Sequence, residues 1–477
     1  MKKTKIVGTI GPASADPKIL DQLIKAGLNV ARLNFSHGSH QSHQKLINDL
    51  RKVAALNKVN LAIMQDLQGP RLRVAKVDDG GIELIPKEKI ILAASKDLQQ
   101  INFSSFKEKI LPIDYPYLAD DVKIADRILI SDGLIQLQVE KVHNRLVYAH
   151  VLKGGIVFSH KGINIPGVKI TAPVITNKDK EDLKFGLKQK VDFVALSFVA
   201  CAQDILDLKK LIKKYSPQSQ VKIVAKIERM AAFVDRKKII EVVDAVMVAR
   251  GDLGIEIPDA KVPLVQKELI SDCVAAGKPV IVATQMLDSM INYPKPTRAE
   301  VADVANAVVD GTDAVMLSGE TAFGKYPVEA VEMMRDIILE TEASPFQSRI
   351  ESHSDKSFSS IKAIADSAFH LAHNTKAKLI VAFTQSGFTA QMIARYRPDM
   401  PIVAITGDEQ VARQLALVWS VEALILPEAK TSNELIKNTV KILLKNKKVV
   451  KRDKIVIVAS QPLGYKQAMN WIKLEEV

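Results

Sequence analysis

Short runs of apolar, β-branched residues recur along this chain, each followed by a segment with helical spacing. Eight of them stand out: Thr4–Gly11, Asn29–Ser36 and Leu61–Leu67, then Asp192–Val199, Val221–Glu228, Ala245–Leu253, Pro279–Met286 and Asp313–Glu320. Val, Ile, Ala and Leu are nearly continuous inside each run. Such strands are expected to be buried on both faces, as in a parallel sheet. The segments between them read as helices. In Asp16–Ala26, Pro17 takes a first helical position and Gly27 a stop; Asp179–Leu187 is a second clear case. Eight parallel strands alternating with helices are the number that closes a (β/α)8 TIM barrel.

The barrel is interrupted. Between Arg71 and Val168 the pattern turns to strict alternation, as in Leu134-Ile135-Gln136-Leu137-Gln138-Val139. That reads as a small all-β insert of short antiparallel strands. It follows the third strand, on the face where barrel sites are built, so a lid is its natural role. From Ser344 to Ser360 the chain is rich in Ser and poor in apolar residues, as in a linker. Beyond it, Leu379–Gln385, Pro401–Gly407, Glu422–Leu426 and Lys454–Ser460 read as strands of an open α/β domain. The expected division is 1–70 with 169–343 for the barrel, 71–168 for the lid and 344–477 for the C-terminal domain.

Composition excludes several classes. Hydrophobic residues make up 47% and charged residues 25% of the 477, as in a soluble globular chain. No apolar run approaches the ~18 residues of a membrane span, and no secretion signal is visible. Cys201 and Cys273 are too few for a disulfide framework, which fits a reducing cytoplasm. The net charge is +13, and its densest run, Lys445–Arg452, reads as a solvated face. Aromatics are 5%, too few for base-stacking platforms, so no nucleic-acid partner is expected. A positive surface also suits an enzyme with phosphorylated substrates.

In a barrel, chemistry sits at the C-terminal strand ends. Here those ends carry Arg32 to Gly38, Asp66 to Pro70, Lys226 to Glu228, Arg250 to Asp252, Thr284 with Gln285, and Ser318 to Thr321. Glu228 and Asp252 come from adjacent strands. Two carboxylates, with room for waters and substrate oxygens, suit Mg²⁺. Lys226 points the same way as Glu228, and a cation beside a metal site fits a transferring phosphoryl group. Arg32 has the fork to hold an anion, or to make a structural ion pair. Thr284 is placed to relay a proton or to cap a helix, and Gly251 and Asp252 can offer backbone N–H groups to an anion. His37, His40 and His43 are spread around a helix, which argues against zinc.

The segments Thr4–Ser14, Ala31–Gly38, Val224–Glu228, Met247–Gly254, Ala283–Leu287, Pro296–Asn306 and Met316–Ala322 closely resemble those of the pyruvate kinase family. The resemblance spans the chain and thins in the insert and the C-terminal part. It implies transfer of a phosphoryl group from phosphoenolpyruvate to ADP, giving pyruvate and ATP. It implies that Arg32 grips the substrate phosphate and that Lys226 stabilises the moving phosphoryl and the enolate. Glu228 and Asp252 would be the Mg²⁺ ligands. Gly251, Asp252 and Thr284 would hold the substrate carboxylate, with Thr284 near the enolate's proton donor. Asn34, Phe35, Ser36, His37, Arg73 and Lys161 would meet the nucleotide. A homotetramer is the family's usual assembly.

One segment departs from the family. Where many members have Thr-Lys-Gly-Pro-Glu after the Asp66 position, this chain has Leu67-Gln68-Gly69-Pro70-Arg71. In the family an acid there goes with a K⁺ requirement and a base with independence from it. Two readings stay open: K⁺ on Asn34, Ser36, Asp66 and Leu67, or Arg71 in its place. The loop Thr384-Gln385-Ser386-Gly387-Phe388-Thr389, between a strand and a helix, offers hydroxyls and N–H groups to an anion. The family uses it for a phosphorylated allosteric effector; the plainer role is helix capping by Ser386 or Thr389. Two other functions compete. A C–C bond enzyme acting through the same enolate would not need the insert. A sensor or nucleic-acid binder would not need Lys226, Glu228 and Asp252.

Overall fold

The computed structural model describes residues 2–100, 106–131, 133–168, 170–346, 359–427, 431–460 and 469–477. Among them the strands Lys5–Thr9, Val30–Asn34, Ala62–Asp66, Phe193–Leu196, Lys222–Ile227, Ala245–Ala249, Val280–Ala283 and Ala314–Leu317 form a closed barrel. Each is parallel to its sequence neighbours, and Lys5 opposite Ala314 and Gly8 opposite Leu317 close the ring. The apolar continuity has its expected cause. Val7, Met64, Val224, Met247 and Ile281 fill the barrel, while Ile6, Ile63, Ile223, Val246 and Val282 face the helices.

Helix ends follow local chemistry. Asp16 caps Pro17–Ala26 by accepting from Lys18 N at 2.8 Å, and Gly27 ends it in the left-handed region at φ 118°. The helix expected from Asp179 starts earlier, at Asn177, because Thr176 is its cap and Asp179 closes a capping box three residues on.

The insert is less uniform than its alternation suggests. Seven of its short strands make one sheet, and Gly155–Val157 pairs with Ile82–Leu84 in another. Most pairs are antiparallel, but Lys89–Ala94 runs parallel to Lys109–Ile113. Residues 95–108 between them are long enough for the crossover a parallel pair needs. Where the insert leaves and rejoins the barrel, Arg73 stands opposite Gly162 and Leu72 opposite Ile163.

The C-terminal part is an open sheet in the order Val421–Ile425, Ile402–Thr406, Leu379–Phe383, Lys454–Ala459, Trp471–Glu476. The last strand is antiparallel and was not expected; it is a short edge carrying Lys473, Glu475 and Glu476. This part seals the N-terminal end of the barrel. Ala416 and Leu417 join the barrel's inner core. Lys5 Nζ donates to Val421 O at 2.8 Å, Arg397 pairs with Asp313 at 2.8 Å and Arg413 with Asp192 at 2.9 Å. Chemistry is left the opposite end.

Most of the Ser-rich crossing, 347–358, lies outside the described residues. The basic run ends the helix Ser432–Lys445 and is largely exposed, with Lys448 paired to Glu422 at 2.6 Å. Both cysteines are free. Among the described residues no helix is long and apolar enough to cross a membrane.

Candidate active site

Four charged side chains from barrel strand ends interlock at the C-terminal mouth. Arg32 Nη2 lies 2.6 Å and Nε 2.8 Å from Asp66 Oδ2, and Nη1 donates to Thr9 Oγ1 at 2.8 Å. Lys226 Nζ donates to Ser197 Oγ at 2.7 Å and stands 2.8 Å from Glu228 Oε1 and 3.3 Å from Asp66 Oδ1. Asp66 and Glu228 are each 1% exposed and Lys226 9%. Burial disfavours the Lys226 ammonium, but Asp66 and then Glu228 outweigh it and leave its pKa raised. Burial likewise works against ionised Asp66, and Lys226 and Arg32 overcome it and hold its pKa low. The Lys226 ammonium therefore stays charged in its buried place. Arg32 has five N–H donors and directs three nitrogens at protein, so one proton on each terminal nitrogen is left for an anion.

Glu228 Oε2 accepts from Phe198 N at 2.5 Å. Each of its oxygens thus has one protein partner and a second lone pair. Asp252 lines the cavity above, and its charge also favours the Lys226 ammonium. Two carboxylate donors beside a substrate-sized opening fit Mg²⁺, which keeps most of its shell for water and substrate oxygens. Among the described residues no group of three or more His, Cys, Asp or Glu is placed to hold a metal.

Thr284 and Gln285 have φ of 70° and 53°, strained for a β-branched residue and its neighbour. Arg250 holds the turn: its Nη2 donates to Thr284 O at 2.6 Å and Gln285 O at 3.1 Å, while Nη1 pairs with Asp303 at 2.6 Å. The turn brings Thr284 Oγ1 within 2.8 Å of Gly251 N, which donates to it. The hydroxyl in turn donates to Ala283 O at 2.6 Å. The Gly251 N–H expected to face an anion therefore already has an internal acceptor.

A cavity of about 270 Å³ lies between the mouth and the insert, lined by Arg71, Arg73, Asn164, Arg229, Asp252 and Glu256 among others. Arg73 and Lys161 flank the strand pair that joins the insert to the barrel, and Lys161 is exposed. Asn34 Oδ1 accepts from Ser36 N at 3.1 Å, and His37 is exposed. Phe35 differs from the expectation. Phe35 is 1% exposed, its ring stacks on His43 at 4.0 Å, its N–H donates to Asp66 O at 3.0 Å and its carbonyl accepts from Lys178 Nζ at 2.6 Å, so the ring is not presented to a ligand. His40 pairs with Asp182 at 2.7 Å. At the K⁺-type position, Leu67 O accepts from Ser197 Oγ at 2.7 Å, and both Asp66 oxygens face cations.

Two family models match the chain, the first running through barrel and insert together. The pyruvate kinase barrel domain matches residues 1–331 and the pyruvate kinase alpha/beta domain residues 362–475. The chain belongs to the pyruvate kinase family. It is 45% identical over 480 residues to the pyruvate kinase of Geobacillus stearothermophilus, across 100% of this chain and 80% of that one. The identity to the Sporosarcina psychrophila pyruvate kinase is 43% over 481 residues, across 100% and 81%. A crystal structure of a Cryptosporidium parvum pyruvate kinase superposes with a TM-score of 0.92 at 36% identity, covering 100% of this chain and 96% of that one. Members of the pyruvate kinase family are phosphotransferases, as the barrel mouth had suggested.

Two further side chains complete the site. Thr9 and Ser197 hold Arg32 and Lys226, yet sequence had not singled them out. Both stand at the ends of barrel strands, and the strand-end rule applied to the first and fourth strands finds them. The loop Thr384 to Thr389 lies apart from the mouth, beside the start of the fifth barrel strand. There Lys222 Nζ donates to Ser386 O at 3.2 Å, and Gly387 adopts φ 85°. Thr384 and Thr389 are buried, Gln385 and Ser386 border a separate cleft, and neither Ser386 nor Thr389 caps the seven-residue helix Phe388–Ala394. The segment Ser460–Lys466, which departs from the family's usual Gly- and Thr-rich effector loop, lies outside the described residues beyond Ser460.

Proposed function

We propose that this chain transfers the phosphoryl group of phosphoenolpyruvate to ADP, giving pyruvate and ATP in the last step of glycolysis. The buried Arg32–Asp66–Lys226–Glu228 cluster under an arginine-lined cavity carries this reading. Phosphoryl transfer asks mainly for positioning and charge neutralisation. Arg32 binds the transferring phosphate with its remaining N–H protons. Lys226 faces the charge that develops on that phosphate and on the enolate oxygen as the P–O bond breaks. The backbone of Asp252 receives the substrate carboxylate, joined by Gly251 and Thr284 when the hydrogen bond between them gives way, and Thr284 lies near the carbon that takes a proton. Asn34, Ser36, His37, Arg73 and Lys161 meet the nucleotide.

Glu228 and Asp252 would hold Mg²⁺, whose positive charge would draw together the oxygens of both substrates. Arg71 takes the place of the monovalent ion. It lines the cavity with a permanent charge that needs no ion. Residues 1–70 with 169–343 form the catalytic barrel, and 71–168 close over it and exclude water, a competing acceptor. Residues 344–477 form a regulatory domain in which Thr384 to Thr389 receive an effector phosphate. The enzyme works in the cytoplasm as a homotetramer.

The test is a coupled assay for ATP with phosphoenolpyruvate, ADP and Mg²⁺. ATP should form, at full rate in K⁺-free buffer with a bulky inert counterion. Lys226→Met should stay folded and lose about 10²–10³-fold or more in turnover. No ATP from the unmutated protein overturns the reaction, undiminished turnover in the variant overturns the role of Lys226, and strong activation by K⁺ overturns that of Arg71.

A further inference from the structure

The cavity between barrel mouth and insert holds a third guanidinium, from Arg229, which the expected set of contacts does not include. Arg229 directly follows Glu228 at the end of the fifth barrel strand. Its Cζ lies 5.2 Å from the centroid of the Phe198 ring, within cation–π range. That ring is a fixed platform. Phe198 has φ of 56°, and its N–H is committed to Glu228 Oε2. Gly69 backs the ring so closely that a Cβ there would meet it at 3.0 Å. The Arg229 side chain is therefore aimed rather than left to wander.

The charge balance says what it is aimed at. Arg71, Arg73 and Arg229 line the cavity against the carboxylates Asp252 and Glu256. Among the described residues no carboxylate stands within ion-pair distance of Arg229. Burial pushes the Glu256 carboxyl up, and the Arg229 charge acts against that from a distance. Among the described lining residues, three guanidinium groups against at most two carboxylates leave a surplus that a multiply charged ligand balances. The surplus stands next to Arg73 and the returning insert strand Gly162–Asn164. It is a different place from the deeper Arg32 and Lys226.

We infer that Arg229 binds the diphosphate of the nucleoside diphosphate substrate, as a third guanidinium beside Arg71 and Arg73. This rests on the proposed reaction and adds a binding residue to it. The phosphate oxygens take the N–H donors in the plane of the Arg229 guanidinium, which a contact between its face and a ring leaves available.

Three variants test it: Arg229→Gln, Arg229→Lys and Glu256→Gln. ADP binding is measured by calorimetry with Mg²⁺ and no phosphoenolpyruvate, and KM is measured for each substrate. In Arg229→Gln, Kd and KM for ADP should rise about tenfold or more, with KM for phosphoenolpyruvate within about twofold and the melting temperature kept. Arg229→Lys should recover part of the loss, because it restores charge but not the fork. Unchanged ADP binding overturns the inference, and so does an equal rise in both KM values. If adding Glu256→Gln to Arg229→Gln restores ADP binding in full, Arg229 only neutralises Glu256 and the inference falls. Failure of the unmutated protein to make ATP would strike the reaction alone, since the binding arm reads ADP without turnover.

Discussion

Asp66 holds two cations at once, Arg32 through Oδ2 and Lys226 through Oδ1. The family pattern had offered it as a K⁺-type ligand. The strand-end rule located it on the right rim but could not tell which neighbours it would meet. Contacts between strands depend on register and tilt, and neither is written in the spacing along one strand. The same limit hid Ser197 and Thr9. By contrast, Lys226 beside Glu228 was legible, because residues two apart on a strand share a face. Asp66→Asn should cost about 3–5 kcal/mol of stability, since it leaves two buried cations sharing less counter-charge. It should also change the pH profile. Asp66 is the largest of the three charges that raise the Lys226 pKa against burial. Without it that pKa falls, so the alkaline limb of kcat should move to lower pH. An unmoved limb in a folded variant would show that Asp66 does not set the charge of Lys226.

The barrel strands were the most legible elements, because burial on both faces leaves an unbroken apolar signature. Each came out shorter than its run: Ala245–Leu253 gives a strand to Ala249, after which Arg250 begins a helix. Signals failed where an element sits at an edge. Trp471–Glu476 is half-buried and charged, so it lacks the signature, and its strand nature depends on the neighbour Lys454–Ala459. The fifth barrel strand, Lys222–Ile227, links two distant places. At one end Lys222 holds Ser386 O, and at the other stand Lys226 and Glu228. Burial lowers the Lys222 pKa, so the amine is kept there at some cost by this contact and by Asp244. Lys222→Met should therefore loosen the loop first. Hydrogen exchange at residues 385–390 should quicken while the barrel strands keep their protection. Equal protection in both proteins would show that the Lys222 contact does not order the loop.

The junction of barrel and C-terminal sheet carries a titratable group of its own. Lys5 is buried, and desolvation lowers its pKa to about 8, although Glu422, Glu342 and Asp313 act the other way. In the unfolded chain the amine titrates near its ordinary value of about 10.4. Between these values the unfolded state binds more protons, so stability rises with pH there and is lost as pH falls through about 8. The slope from this group approaches about 1.4 kcal/mol per pH unit in mid-window. Lys5→Met should flatten the pH dependence of the melting temperature between about pH 8 and 10 relative to the unmutated protein. Parallel curves would show that Lys5 does not titrate differently on unfolding.

The closure of the ring through Lys5 opposite Ala314 has a consequence for how the chain is made. Translation delivers the first strand early and its second neighbour only after the other six and the whole insert. Until then the nascent sheet is open, with one edge of the oldest strand bare and the main-chain groups of Lys5–Gly8 unpaired. The patch that takes the Lys5 ammonium, at Val421, comes later still. The hazard of pairing with a neighbouring chain is thus concentrated in synthesis and vanishes when Ala314–Leu317 arrive. A protein of this design needs help from chaperones while it is being built far more than after it is finished.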